Sequence, residues 1–527
     1  MKIDMKIISV LSALLMIFGL SGCQKDDGSN RVMKYDVRKS AADIDPQFST
    51  SETSKIIIAN TFEGLFRYNQ KGEIENVLAE SWEVSNDGKT YTFNIKKDVK
   101  WSNGENLTAK DFEFAFKRMF DIQAISPFAS NYISIKNAQK ILNGEMEKDK
   151  LGVKATDDYT LKIYLESPNP YFISLLTYNA SMPCNEDFLI SAKGRYGLDI
   201  KHIIFNGPFS VKQWSEKEIR LRRNSEYYDK DFVYCAGVNI YVDRGNPQEL
   251  FMEGESDCCF IDEMQVKDIK KDMSVESFKN ITLQLIFNQD NDFFKNEKIR
   301  TAMAMSLRSE EIQGDEFFSP EKNLIPPIIN TPLGKYRDIA GDVEYPNNKE
   351  VNLKQLFEEG LEEIGEKSPE KLTFLAPDNS AGKKAVMDFQ RIWAKELSVY
   401  VNFELLDENE LTKRIKASDY QIALMPVTPM DDSAIGVLTA FTSDSTFNYC
   451  NMKDEYFDSL VNKAMHSSDV KASIKLLKEA EQYIIEKSVA VPIFSGKRYF
   501  ALGEKVSDIN VSIYEKTCFF KYAKRKD

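Results

Sequence analysis

Histidine is almost missing from this chain: 527 residues contain two, His202 and His466. No group of cysteines and histidines has the spacing that holds zinc, so neither a structural nor a catalytic zinc site is expected, and no cofactor is expected either. Catalytic signatures are equally scarce. Neither Gly-x-Ser-x-Gly nor His-Glu-x-x-His occurs, which removes the serine-hydrolase elbow and the zinc-protease helix. Adjacent acids such as Glu362-Glu363 and Asp157-Asp158 read as solvated faces, although a two-carboxylate glycosidase site stays open on spacing alone. The chain is therefore read as a non-enzyme. Positive charge is also in deficit, with 69 Lys and Arg against 82 Asp and Glu for a net charge of −13. Such a surface repels a phosphate backbone, so nucleic acid is not an expected partner. The short basic stretch 521–526 reads as a solvated tail. No internal repeat, no long low-complexity block and no second apolar run of membrane-spanning length is present.

The one long apolar run opens the chain. Lys2 and Lys6 precede an uncharged stretch over residues 7–20, which ends in Leu20-Ser21-Gly22-Cys23. A basic start, an apolar middle and small residues at the end form the layout of a secretory signal. The run is shorter than the ~20 residues that span a bilayer core, so cleavage is expected rather than retention. Leu-Ser-Gly-Cys resembles the bacterial lipobox, in which the cysteine thiol receives a diacylglycerol and the chain is cut just before it. Residues 1–22 would be the lipoprotein signal peptide. The polar segment 23–30 cannot bury apolar surface and would be a flexible tether. Lys2, Lys6 and Asp4 carry +1 together, so the mature chain would stand at −14.

Past the leader, 505 residues suffice for two or three domains around separate cores. Aromatics at 12% suit large cores. Six cysteines remain, Cys184, Cys235, Cys258, Cys259, Cys450 and Cys518. No spacing repeats among them, and adjacent cysteines rarely make a good disulfide, so most are expected as small buried hydrophobes. "VMKYDV" begins as a strand, with a turn at Asp45-Pro46. "SWEVSNDGKTYTFNI" is a hairpin, its turn at Asn86-Asp87-Gly88, with Tyr91, Phe93 and Ile95 alternating against Thr90, Thr92 and Asn94. Thr108 with Asp111 three residues on predicts a helix start, and Phe112, Phe116 and Met119 fall on its inner face. Leu161, Ile163 and Leu165 share one face of a second strand. Helices are predicted over "NEKIRTAMAMSL" and "VKASIKLLKEAEQYIIEK", and a loop with one short helix over 333–369. "KLTFLAP", "VNFELLD" and "YQIALMP" alternate with helices around Arg391 and Leu411, the pattern of a parallel or mixed α/β lobe.

Five segments in order, "FEGLFRYN" (62–69), the block 78–118 beginning "LAESWEVSNDGKTYTFNI", "LGVKATDDYTLKIYLESPNPYF" (151–172), "NGPF" (206–209) and "EYFDSLVNKA" (455–464), resemble the family 5 extracellular solute-binding proteins, the peptide receptors of ABC importers. The block 82–117 is the most specific of these. The resemblance implies an α/β, periplasmic-binding-protein-like fold (class II, cluster C) of two lobes joined by a hinge, with an extra inserted domain. Lobe I would combine 31–58, 192–282 and 485–527, domain II would be the insertion 59–191, and lobe III would run over 283–484. Two crossing strands near residues 280 and 485 would form the hinge.

The implied function is capture of a peptide outside the cell and delivery to ABC permease subunits by a monomeric protein, lipid-anchored on the outer face of the cytoplasmic membrane, or in the periplasm if the source has an outer membrane. Same-fold alternatives are a receptor for a nickel chelate or oligosaccharide and a sensory lipoprotein. In the family an aspartate following a Gly-Trp turn pairs with the peptide ammonium. Here "PVTPMDD" brings Asp431 or Asp432 near that position, with a solvated loop or an N-cap before Ala434 as the competing reading. The Gly-Trp pair is replaced by Pro426-Val427, and Pro lacks a backbone donor, so part of a peptide-binding ladder would be missing. Thr50, Ser51 and Glu52 occupy the region that lines the opposite wall in relatives.

Overall fold

The computed structural model describes residues 31–69, 71–307, 312–345, 351–369, 371–429, 433–512, 514 and 517–526. Cys23, the leader and tether, and Asp431 and Asp432 lie outside the described residues. Among the described residues no helix is long and apolar enough to cross a membrane.

Three main sheets organise the chain. In the first, strand Val32–Val37 runs parallel to Gly237–Val242, which continues antiparallel through Glu218–Arg223 to Phe209–Trp214. The second is wholly antiparallel, in the order Ala79–Val84, Thr90–Ile95, Thr160–Tyr164, Val153–Asp157. Tyr91, Phe93 and Ile95 are buried while their neighbours face outward, because the strand period of two sends alternate side chains to one face. Gly88, at φ +68°, closes the hairpin in a conformation glycine adopts without a Cβ penalty. Helix Ala109–Met119 starts at the predicted capping box, the Thr108 backbone N–H donating to Asp111 Oδ2 at 2.7 Å. Its Phe112, Phe116 and Met119 are fully buried.

The third sheet runs Cys258–Ile261, Ala490–Leu502, Ser274–Phe287, Ile422–Val427, Leu372–Pro377, Val401–Leu406. Leu372–Pro377 lies parallel to both Val401–Leu406 and Ile422–Val427, while Ile422–Val427 is antiparallel to Ser274–Phe287. The predicted mixed α/β lobe is thus present, with helices Ser380–Leu397 and Glu408–Lys416 between its strands. Over 333–369 the structure departs from the single short helix expected: Tyr336–Ala340 and Leu353–Glu363 are both helical. The second is anchored by buried Phe357 and Leu361, and Gly360 lets it approach Ile299, whose Cγ1 a Cβ there would meet at 2.7 Å.

Strands Ser274–Phe287 and Ala490–Leu502 are 14 and 13 residues long, more than twice the usual ~5–6. They pair antiparallel along their length, and the register slips twice, between Phe278 and Ile281 and between Leu283 and Gln284. Such bulges bend and twist a ladder locally. The two ends of this ribbon serve different interiors. Phe500 and Leu502 join a core that also contains Met33, Ile57, Trp101, Phe172, Leu221 and Phe520, so the first and second sheets share one apolar interior. At the other end, Ile286 and Ala490 pack with Leu411, Phe457, Leu477 and Ile484 on one face of the mixed sheet. Leu285 and Phe494 pack with Ile299, Phe374, Phe389 and Trp393 on the opposite face.

Two buried ion pairs brace these bodies. Arg118 donates from Nη2 to Asp45 Oδ2 at 2.6 Å and from Nη1 to Gln47 Oε1 at 2.9 Å, tying helix Ala109–Met119 to the first sheet's side of the molecule. Arg337 pairs with Glu481, whose other oxygen accepts from the Ile325 backbone N–H at 2.9 Å. Away from the ribbon the two bodies touch again: Asn330 Nδ2 donates to the Gly72 carbonyl at 3.1 Å, Tyr514 Oη to the Ile328 carbonyl at 3.4 Å, and Tyr171 enters the core that holds Tyr336. All six cysteines within the described residues are buried, none in a disulfide.

Candidate ligand-binding site

The ribbon that joins the two bodies carries polar groups where a central strand is normally apolar. Asn280, Thr282 and Gln284 alternate along Ser274–Phe287 and are at most 1% exposed. Thr282 Oγ1 and both polar atoms of the Gln284 side chain have no hydrogen-bond partner. Each such group costs about 1–3 kcal/mol when left unpaired, so their presence in a central strand calls for a function. Thr282 stands opposite Val427 and Ser495, and Gln284 opposite Met425 and Pro492.

Beside them the sheet has an open edge. Ile422 and Ala423 are paired on both sides, whereas residues 424–427 pair with the ribbon alone among the described residues. Unpaired backbone groups on a strand edge are a template for a further extended chain. Pro426 sits within this edge and contributes no N–H.

Arg498, in the other ribbon strand, lies opposite Phe278 beside the first slip in register. Its Nη1 is buried and unpaired. Two carboxylates act on it from different bodies, Glu408 at the start of helix Glu408–Lys416 and Glu52 at the start of helix Glu52–Thr61, while burial holds its pKa below the usual arginine value. The guanidinium is thus within electrostatic reach of both bodies.

Of the residues singled out by sequence, Glu52 is exposed and electrostatically coupled to Arg498. Ser51 is the N-cap of helix Glu52–Thr61: its Oγ accepts from the Ser54 N–H at 3.1 Å and lies 2.6 Å from Ser54 Oγ. Thr50 is exposed just before it. Asp431 and Asp432 fall outside the described residues. The alternative cap role weighed for them belongs to Ser433, whose Oγ accepts from the Gly436 N–H at 3.0 Å. The acid pairs considered for catalysis are surface groups: Glu363 pairs with Lys298 at 2.8 Å and Asp158 with Lys110 at 3.0 Å. Sequence reasoning missed Thr282, Gln284 and Arg498. The signal available was polar residues in otherwise apolar strands, "ITLQLIF" and "FSGKRYF".

A separate cleft of about 670 Å³ lies between the second sheet and the mixed-sheet body, with Trp82, Tyr91, Pro170 and Tyr171 on one side and Thr331 and Val470 on the other.

Comparison with known proteins places this geometry. The description "Bacterial extracellular solute-binding proteins, family 5 Middle" matches residues 73–449. The chain is 30% identical over 523 residues to the oligopeptide-binding protein OppA of Bacillus subtilis (strain 168), covering 94% of each. It is 28% identical over 520 residues to the dipeptide-binding protein DppE of the same organism, covering 94% of this chain and 95% of that one. Among solved structures, the substrate-binding domain of an oligopeptide ABC transporter from Bacillus anthracis str. Ames superposes with a TM-score of 0.72 at 27% identity, over 95% of this chain and all of the other.

Proposed function

Since the chain belongs to the family 5 bacterial extracellular solute-binding proteins, with their two-lobed, hinged α/β fold, we propose that it captures peptides outside the cell by closing its lobes and hands them to the permease of an ABC importer. One observation carries this reading: an open edge on strand Ile422–Val427, beside the unsatisfied Thr282 and Gln284 of the ribbon strand it pairs with. A receptor for many peptide sequences must bind what all share, the backbone and the charged ends. An added strand satisfies the backbone, and side chains can occupy wet space. Closure then buries the ligand between bodies, a hinge motion set by the ribbon.

The lobe boundaries belong to the same proposal: 31–58, 192–282 and 485–527 in lobe I, 59–191 in domain II, 283–484 in lobe III. So does the anchor. Lipid on Cys23 would hold a monomeric receptor at the outer face of the cytoplasmic membrane, durably only with two or more acyl chains. Asp431 or Asp432 would pair with the peptide ammonium, opposite the wall formed by Thr50, Ser51 and Glu52.

Mass spectrometry of small molecules carried through native purification tests the cargo. A ladder of peptides is the expected result. A sugar or a metal chelate would overturn the peptide reading and match the loss of a donor at Pro426. The anchor has its own test: Cys23→Ala should release the protein into the medium or leave it unprocessed, and unchanged membrane retention would refute it.

A further inference from the structure

Other arginines with a buried guanidinium among the described residues hold it against a partner. Arg118 has Asp45, Arg244 has Asp36 at 2.8 Å and Arg337 has Glu481, and Arg300 donates to the Phe294 and Lys295 carbonyls at 2.7 and 3.0 Å. Arg498 has none of these, although its Nη1 is shut off from solvent. Glu52 and Glu408 act on it from the two lobes, but neither forms an ion pair with it.

Resting on the peptide-receptor reading, we propose that Arg498 receives a carboxylate of the bound ligand, making the hinge ribbon itself the site that reads negative charge. A guanidinium offers a planar fork that matches a carboxylate with two parallel hydrogen bonds. The surroundings choose among anions. Glu52 on one side and Glu408 on the other repel a doubly charged phosphate more strongly than a singly charged carboxylate. Thr282 and Gln284, neutral and unpaired further along the partner strand, opposite Ser495 and Pro492, suit the uncharged amides of a chain that runs on from such a group. Burial already strains the charged form of Arg498, lowering its pKa, and an arriving anion relieves that cost.

The test uses the mature protein and two peptide libraries of three to five residues, one with free C-termini and one amidated, each made with and without Asp and Glu. Retention is read by mass spectrometry for wild type, Arg498→Gln and Arg498→Lys, and melting is followed for the ligand-free proteins. Wild type should favour free acids over amides at least tenfold in the libraries lacking Asp and Glu. Arg498→Gln should lose that preference, and Arg498→Lys should keep part of it. If amides are retained only when Asp or Glu is present, the carboxylate comes from a side chain and Arg498 still reads it. Equal retention of all four libraries by wild type overturns the proposal. Melting gives an independent reading, because deleting an unpaired buried charge should raise the melting temperature of the ligand-free protein. A fall in Arg498→Gln would mean a structural partner and would also overturn it. Should wild type retain no peptide at all, the peptide-receptor reading fails, and the melting comparison still decides whether Arg498 is an unpaired charge.

Discussion

Replacing Arg118 by methionine keeps most of the side-chain volume and removes the charge, which isolates one term. In the wild type, Asp45 is 7% exposed and receives both guanidinium nitrogens, with the Gln47 backbone N–H at 3.1 Å as its other donor. Arg118 also stacks near Phe48 and Tyr196, 5.0 and 5.3 Å from their ring centres. Without it, Asp45 is left as a buried charge with a single backbone donor, a defect that costs about 3–5 kcal/mol. Spread over the unit that shares the first core, this corresponds to a loss of roughly 6–20 °C in its melting temperature. The pH dependence carries the diagnosis. Burial, offset by Arg118, already raises the Asp45 pKa above the ordinary carboxylate value. In the variant the offset is gone and the folded-state pKa rises further. A folded pKa above the unfolded one means the native state binds more protons, so stability falls as pH rises through the folded value and is regained toward the unfolded value of ~3.9. The deficit of Arg118→Met should therefore be larger at pH 8 than at pH 5, read by scanning fluorimetry against wild type at each pH. A deficit under ~1 kcal/mol, or one that is equal at both pH values, would refute the buried-charge reasoning.

Further outcomes follow from other parts of the molecule. Glu481→Gln should cost about 3–5 kcal/mol by stranding Arg337 in the core of the mixed-sheet body, seen as a lower midpoint in urea. Gly496→Ala places a Cβ 2.5 Å from the Phe318 ring, an overpacking cost of about 1–3 kcal/mol, and Phe318→Leu in the same chain should recover much of it. Asn330→Ala removes the bond to the Gly72 carbonyl and should raise the radius of gyration of the ligand-free protein in X-ray scattering, leaving its melting temperature nearly unchanged. If Asp431 or Asp432 pairs with a buried ammonium, N-acetylated peptides should bind about a hundredfold worse or weaker by calorimetry, from a loss of about 3–5 kcal/mol.

What the sequence made legible was local. The hairpin at Asn86-Asp87-Gly88, the capping box at Thr108 and the strand-helix alternation after residue 370 depend on neighbours within a few positions, and the structure contains each. Pairings across the chain were not legible: Val32–Val37 finds Gly237–Val242 some two hundred residues away, and period-two patterning is the same whichever strand it meets. The site was half visible. Pro426 is plain in the sequence, yet that its strand has a free edge follows only from where Leu372–Pro377 stops pairing. Gln284 and Arg498 read as ordinary polar residues until burial and the lack of partners are known, because an unmet hydrogen bond is a property of three dimensions. Over 333–369 one short helix was expected where Tyr336–Ala340 and Leu353–Glu363 both form, because the acidic, Gly- and Pro-bearing composition reads as loop while Phe357 and Leu361 carry the packing of the second.

The interior that unites Met33 and Leu221 with Phe500 and Phe520 also governs the order in which a newly made chain can be completed. One of its walls is supplied by residues 500–523, so this interior cannot close fully until that stretch has been made. The mixed-sheet body has no such delay beyond residue 494 and can harden sooner. Loss of residues 500–523 would therefore open this core while leaving the two interiors of the mixed-sheet body nearly whole.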